Sequence, residues 1–448
     1  MIVSPPHAPK RHKLRKHLSA DALYALLKKG FATIPEPRRD ADLTFPLADV
    51  LQAGLALFAL KDPSMLAFQE RRGDANLQTI FHVDEVPSDT QMRTILDPVD
   101  PQRLRPLFND VLRQLQRGKV LEDYVFYRGA YLLALDGTGY FSSKKIHCPC
   151  CQEKVNKQTG EITYQHQMLG AALVHPDHAE VFPLAPEPIE KQDGSSKNDC
   201  ERNAAKRLLP KIRAEHPHLD FIVVEDGLAS NAPHLRLLRS LDMHFLTGVK
   251  PGDHEFLFAH FLAAAEQDLV ATLSWQEQAV HCELSFVNAL PLNEANQDLL
   301  VNYLSYAEFG PDGELQTCFS WVTDFTLTRA NARWLMRGAR ARWKIENETF
   351  NTLKNQGYHY EYNYGHGEEH LAVVLAMLMM LAFLVDQVQQ RCCPLFRAVC
   401  AKLKSKRSVW DKLRGHFYTL TYRSMQHLYE AILYDLAKQL VVPTLDGS

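Results

Sequence analysis

The stretch Ala130-Tyr131-Leu132-Leu133-Ala134-Leu135-Asp136-Gly137 is a short apolar run closed by an Asp-Gly pair, and Phe221-Ile222-Val223-Val224-Glu225-Asp226-Gly227 repeats that plan. Short continuous apolar runs bounded by turn signals fit strands buried on both faces. Residues 244–249 form a third such run, and residues 199–215 between them are rich in Ala, Lys and Arg, as a helix requires. Strands followed by helices predict an α/β sheet. Residues 166–174 and 180–184 flank Pro176-Asp177 and read as a hairpin. Working outward, residues 1–128 read as a helical N-terminal region with Pro-rich joints, its helices near 20–29, 47–60 and 101–117. Residues 129–252 form the first part of the α/β core. Residues 253–325 read as a β-rich insertion, with β-like stretches around 269–292 and 317–324. Residues 326–365 return to a core helix stopped by Gly357, and residues 366–448 read as a helical C-terminal region. There is no internal repeat.

With 448 residues, 46% of them hydrophobic, the chain can bury a core and build two or three structural units. A net charge of -3 does not by itself announce a nucleic-acid partner. The charge is uneven, however: residues 1–40 carry nine Lys/Arg against three acids, and Lys10, Arg11, Lys13, Arg15 and Lys16 form a run suited to DNA phosphates. Lys402, Lys404, Lys406, Arg407, Lys412 and Arg414 form a second run, and a solvated surface is the alternative for both. The N-terminus lacks an apolar signal-like segment. The apolar run 371–385 is shorter than the ~20 residues of a membrane span and predicts a buried core helix. Nine cysteines, an odd number with adjacent pairs at Cys150–Cys151 and Cys392–Cys393, fit a reducing cytoplasm better than a disulfide framework.

Asp136 and Asp226 share a setting, each at the end of an apolar run and each followed by Gly. At the C-terminal edge of an α/β sheet, where ligands bind, two such acids would converge. Converging carboxylates repel unless protonated or bridged by a cation, and hard oxygen donors suit magnesium or manganese. A plain Asp-Gly turn is the alternative for either pair alone. Further on, Arg342-Trp343-Lys344-Ile345-Glu346-Asn347-Glu348-Thr349-Phe350 reads as helix, with Arg342, Glu346 and Phe350 on one face and Glu348 about 200° away from Glu346. A solvated Arg342–Glu346 pair is the alternative there.

In this order, Leu135-Asp136-Gly137-Thr138, then Glu225-Asp226-Gly227-Leu228-Ala229-Ser230, then Arg342-Trp343-Lys344-Ile345-Glu346-Asn347-Glu348 resemble the DDE transposases of bacterial insertion sequences, and most the branch with a β-rich insertion before the third acid. The resemblance covers roughly residues 130–360 and, more loosely, the flanking helices. It implies a ribonuclease-H-like core in which Asp136, Asp226 and Glu346 hold two Mg2+ or Mn2+ ions, with Arg342 in support. It implies cut-and-paste transposition, meaning metal-dependent cleavage at the ends of an insertion sequence followed by strand transfer. The implied partners are the element's terminal repeats, target DNA and a second copy of the chain in the synaptic complex, with no membrane. The family signature carries Tyr three residues before the Arg and Lys seven residues after the Glu. This chain has Ala339 and Leu353 there, with Lys354 one place late, so Glu348 remains a competitor for third acid. A stand-alone nuclease on the same core and a non-catalytic, domesticated DNA-binding relic are the alternative functions.

His147-Cys148-Pro149-Cys150-Cys151 has the Cys-x-x-Cys spacing of a zinc half-site, which makes Cys148 and Cys151 candidate structural zinc ligands, with His166 and Cys200 as completions. A loop with reduced thiols is the alternative. Asp193 and Asp199 are spare acids, and Asp199 suits a helix cap. Tyr358, Tyr360, Tyr362 and Tyr364 alternate and could stack on bases or pack in a core. Trp275 and Trp321 fall in the insertion. The segment Ser88–Arg93 opens a short helix, a DNA-reading or a linking element.

Overall fold

The structure, a computed structural model, describes residues 16–38, 44–190 and 200–436. Lys10, Arg11, Lys13 and Arg15 lie outside these residues, as do Asp193 and Asp199; Lys16 is exposed on a short 3-10 turn, Lys16–Leu18. The chain divides into two compact units. One gathers Met1–Val120, Leu353–Tyr360 and Tyr364–Ser448; the other holds Leu121–Thr352 and Glu361–Asn363.

The first unit is helical. Its N-terminal helices include Ala20–Phe31, Leu47–Ala59 and Arg105–Arg117. Polar caps start several of them: Ser19, Ser64 and Asp74 accept the first free backbone N–H groups, and Ser88 forms a reciprocal cap with Gln91. The helix Asp89–Leu96 buries Met92, Ile95 and Leu96, and Arg93 donates to the Tyr364 carbonyl, so this segment is a packed connector in the unit. The centre is the helix Leu371–Cys392. It is long and apolar enough to cross a membrane, and 94% of its most apolar window is buried. It lies against Leu47–Ala59, where a Cβ on Gly54 would come within 2.8 Å of Leu378 Cδ1. Asp386 on this helix pairs with Lys61, which lies over the Trp410 and Tyr358 rings at 3.9 and 4.6 Å. Tyr358 donates to the same carboxylate. Burial pushes the Lys61 amine down and the Tyr358 hydroxyl up. Tyr358, Tyr360 and Tyr364 are therefore core residues, while Tyr362 is exposed.

The second unit is built on one mixed sheet. Its strands are β1 (Val125–Tyr127), β2 (Ala130–Ser143), β3 (Gln152–Val155), β4 (Ile162–Val174), β5 (Phe182–Pro183), β6 (Glu187–Ile189), β7 (Phe221–Glu225), β8 (His244–Gly248), β9 (Ala271–Glu277), β10 (Val280–Pro291), β11 (Leu300–Phe309) and β12 (Leu315–Thr323). The main path runs β3-β4-β2-β7-β8-β12-β11-β10-β9, with β1 paired to β2 and β5 and β6 paired to β4. β2, β7 and β8 are parallel, and β4 and β12 join them antiparallel. The helices Glu201–Glu215 and Ala232–Ser240 connect the parallel strands.

Three expectations are corrected. Asp136-Gly137 does not close a strand: β2 continues to Ser143, because the chain stays paired to β4 through Gly137↔Leu169 and Thr138↔Met168. The region 253–325 holds four strands and a helix. It opens with the helix Glu255–Glu266, where Ala263-Ala264-Ala265 favours helix, and it includes β11 beyond the two β-like stretches. Its four strands also extend the same sheet rather than interrupt it, because β12 pairs with β8 through Val322↔Thr247. Finally, the third-acid segment is not one regular helix. The helix Ala332–Arg340 ends in a turn, and Ile345–Phe350 is π-helical before Asn351–Asn355.

Candidate active site

β2 and β7 are neighbouring parallel strands with Ala134 opposite Val224. Asp136 and Asp226 each stand two residues beyond that pair, so the register sets both acids at one level of the sheet. Asp136 Oδ1 accepts from the Gly137 N–H at 3.0 Å, and Asp226 Oδ1 accepts from the Leu228 N–H at 3.0 Å, capping the 3-10 turn Gly227–Ala229. Both aspartates line one cleft with Glu201, Glu225, Arg202 and His234.

Glu346 reaches this level through the π-helical segment. Phe350 packs on Gly170, the ladder partner of Asp136; a Cβ on Gly170 would sit 2.7 Å from Phe350 Cζ. That contact seats the segment over the sheet, with Glu346 close enough to act on the Asp136 carboxyl. Arg342 bridges the two acids, 2.9 Å from Glu346 Oε1 and 3.5 Å from Asp136 Oδ2. Glu348 instead lies in the field of Lys344. A π-bulge is uncommon and often marks a functional position.

Burial, the hydrogen bond with Glu346 and the charges of Glu346 and Glu201 push the Asp136 carboxyl up to about 7, against the pull of Arg342. Glu201 is raised as well, by burial and by Asp226 and Glu225. Glu225 is held by His234 at 2.6 Å, and despite burial this contact raises the imidazole. Even with Arg342 between Asp136 and Glu346, burial and the neighbouring acids leave Asp136 and Glu201 raised, a condition that a divalent cation relieves. Their donors are oxygens, the type that Mg2+ and Mn2+ take.

Glu201 escaped the sequence reading. It lies in the first turn of Glu201–Glu215, an ordinary place for an acid, and its approach to Asp136 depends on the fold. A Cβ at Gly137 would collide with its carboxylate, so the glycine serves this close approach rather than a turn. A basic stripe also went unread. Arg333, Arg337, Arg340 and Lys344, spaced by four, three and four residues, line a groove with Trp275, Tyr306 and Trp343. Arg333 lies 4.4 Å over Trp275 and Arg340 lies 5.2 Å over Tyr306. Arg337 also pairs with Asp177, and Arg340 with Glu308 at 2.8 Å. The spacing itself was a visible signal for one helical face. Trp321, by contrast, is buried.

Cys148, Cys151 and His166 form a separate buried cluster, and Cys200 is exposed and outside it. No protein-family model matches the chain, and no curated protein matches it.

Proposed function

We propose that the protein is a DDE-type DNA transposase, cutting phosphodiester bonds at the ends of an insertion element and joining them to target DNA. The observation that carries this reading is the placement of three acids in the expected order: Asp136 and Asp226 stand at one level of adjacent parallel strands, and Arg342 joins Asp136 to Glu346. The mixed sheet, with β2 between an antiparallel partner and the parallel strand of the second acid, supports a ribonuclease-H-like core. On this reading the four strands before the third acid, which continue the sheet through β12 and β8, are the counterpart of the family's β-rich insertion.

Asp136, Asp226 and Glu346 would hold the divalent ions, and Arg342 fixes the relative positions of Asp136 and Glu346. Two such ions, when bound, supply Lewis-acid stabilisation of the attacking and leaving oxygens of an in-line displacement. No side-chain nucleophile is needed, so water serves in cleavage and the freed 3′-hydroxyl in strand transfer. The stripe Arg333, Arg337, Arg340 and Lys344, with its aromatic neighbours, offers guanidinium groups and ring faces to a DNA strand. A second copy of the chain would serve the other element end.

The test incubates the protein with Mg2+ or Mn2+, a duplex bearing the DNA that flanks its own gene, and a target plasmid. Cleavage at the element boundary with joined products is the expected result. Cleavage without joining would make the protein a nuclease, and binding without cleavage would make it a DNA-binding relic.

A further inference from the structure

Beyond the acids, β2 and β4 run on as a paired ladder, and the turn from β2 to β3 folds back on them. Phe141 on β2 is the partner of His166 on β4. Gln152, the residue after Cys151, is the partner of Gln165, the residue before His166. This register places Cys151 beside His166. The turn itself is closed by backbone: the Cys151 N–H donates to the Cys148 carbonyl at 3.1 Å, and the Cys148 N–H points at Cys151 Sγ at 3.5 Å.

The three donor atoms have the spacing of a tetrahedral ion's ligands. The two sulfurs are 3.9 Å apart, and His166 Nε2 is 3.3 Å from Cys148 Sγ and 3.5 Å from Cys151 Sγ. Zn–S bonds of ~2.3 Å and Zn–N bonds of ~2.0–2.1 Å at the tetrahedral angle put sulfurs about 3.8 Å apart and sulfur and nitrogen about 3.6 Å apart. A disulfide, by contrast, needs sulfurs about 2.05 Å apart. All three side chains are buried. Thiolate and imidazole donors select zinc and disfavour the magnesium and manganese that suit the acids.

We infer that Cys148, Cys151 and His166 bind one structural zinc ion that pins the β2–β3 turn onto β4. Water or another side chain completes the tetrahedron. The ion cross-links one end of the two strands whose middle carries Asp136, so it holds that ladder in register without touching substrate. This inference stands apart from the transposase reading, because it rests on different residues and is read by metal content.

The test uses the full-length protein purified under reducing conditions from zinc-supplied cells, without a metal-affinity tag. Elemental analysis should find one zinc per chain, retained through exchange into excess Mg2+. Replacing zinc by Co2+ should give the thiolate charge-transfer and visible bands of a tetrahedral site. Cys148→Ser, Cys151→Ser and His166→Asn should each lower zinc well below one per chain, while the exposed-cysteine control Cys318→Ser keeps it. Wild-type protein without zinc, or a Cys148→Ser, Cys151→Ser double variant that keeps a full equivalent, would overturn the inference. The wild-type measurement decides even if the variants fold poorly.

Discussion

The middle of the β2–β4 ladder and its end towards β3 carry opposite coordination chemistry. In its middle Asp136, paired to Gly170, lies beside Glu346 and Glu201, with Asp226 lining the same cleft and Glu346 half exposed. At the end towards β3, where Phe141 pairs with His166, two sulfurs and a nitrogen are buried at distances already right for an ion. At the first, burial and then the neighbouring acids push the Asp136 carboxyl up to about 7. The second offers two sulfurs and a ring nitrogen, and binding a metal there takes the protons from the thiols. On the proposed reading the difference separates an exchangeable site from a fixed one: hard ions that keep waters suit catalysis, whereas buried thiolates suit a brace.

The largest expected effect lies at the oxygen site. Glu346→Gln should lower cleavage and joining together by orders of magnitude, because both reactions use the same ions. Glu348→Gln, two residues on, should leave both within a few-fold of the parent. Comparable losses in the two variants would mean that the third acid is misassigned.

At the sulfur end the effect should be on stability. Stripping zinc with a strong chelator should lower the melting temperature by several degrees or more, since a bound ion contributes folding free energy. Added Mg2+ should not restore it, whereas Zn2+ should. A melting temperature indifferent to chelation would leave the ladder unbraced and collapse the contrast between its two sites.

A smaller effect concerns charge strain in metal-free protein. The folded state holds the Asp136 proton from its ordinary 3.8 up to about 7. Its favourable contribution is therefore fully present below 3.8 and is lost as pH rises through about 7. Asp136→Asn, which cannot ionise, should melt higher than the parent above pH 7, with the gap closing towards acid. Mg2+ should narrow the gap by stabilising the parent. Parallel melting curves across this range would show that Asp136 is not strained.

The smallest effect belongs to the DNA track. Arg333→Gln with Arg337→Gln should weaken duplex binding and flatten its salt dependence by about 0.9 in slope per lost phosphate contact. An unchanged slope would place the phosphate track elsewhere.

The two apolar runs revealed the parallel strands because burial on both faces leaves such a run in local sequence, although only Asp226-Gly227 follows a strand end. The hidden features were set by distant pairing. That β2 continues past Asp136 depends on β4, some thirty residues later (Asp136↔Gly170), and Glu201 joins the acids only through the fold. His166 was one of two zinc completions by sequence. Ladder register, which no local pattern encodes, separates it from Cys200. The π-helical turn was equally invisible, because the Arg342–Glu346 spacing suits a regular helix; Phe350 seated on Gly170 is what distinguishes the segment. The joining of the N-terminal and C-terminal helices in one unit likewise follows from packing around Leu371–Cys392, not from either segment's own pattern.

The central claim is that the converged acids cut DNA. Asp136→Asn removes a charge while nearly keeping shape, so folding and DNA binding should persist. The direct measurement is cleavage of a duplex carrying the element end, in Mg2+ or Mn2+, beside a binding titration on the same duplex, for parent and Asp136→Asn protein. The account predicts parent-like binding with cleavage and joining reduced by orders of magnitude. An Asp136→Asn protein that binds the end and cuts it at the parent rate would contradict it.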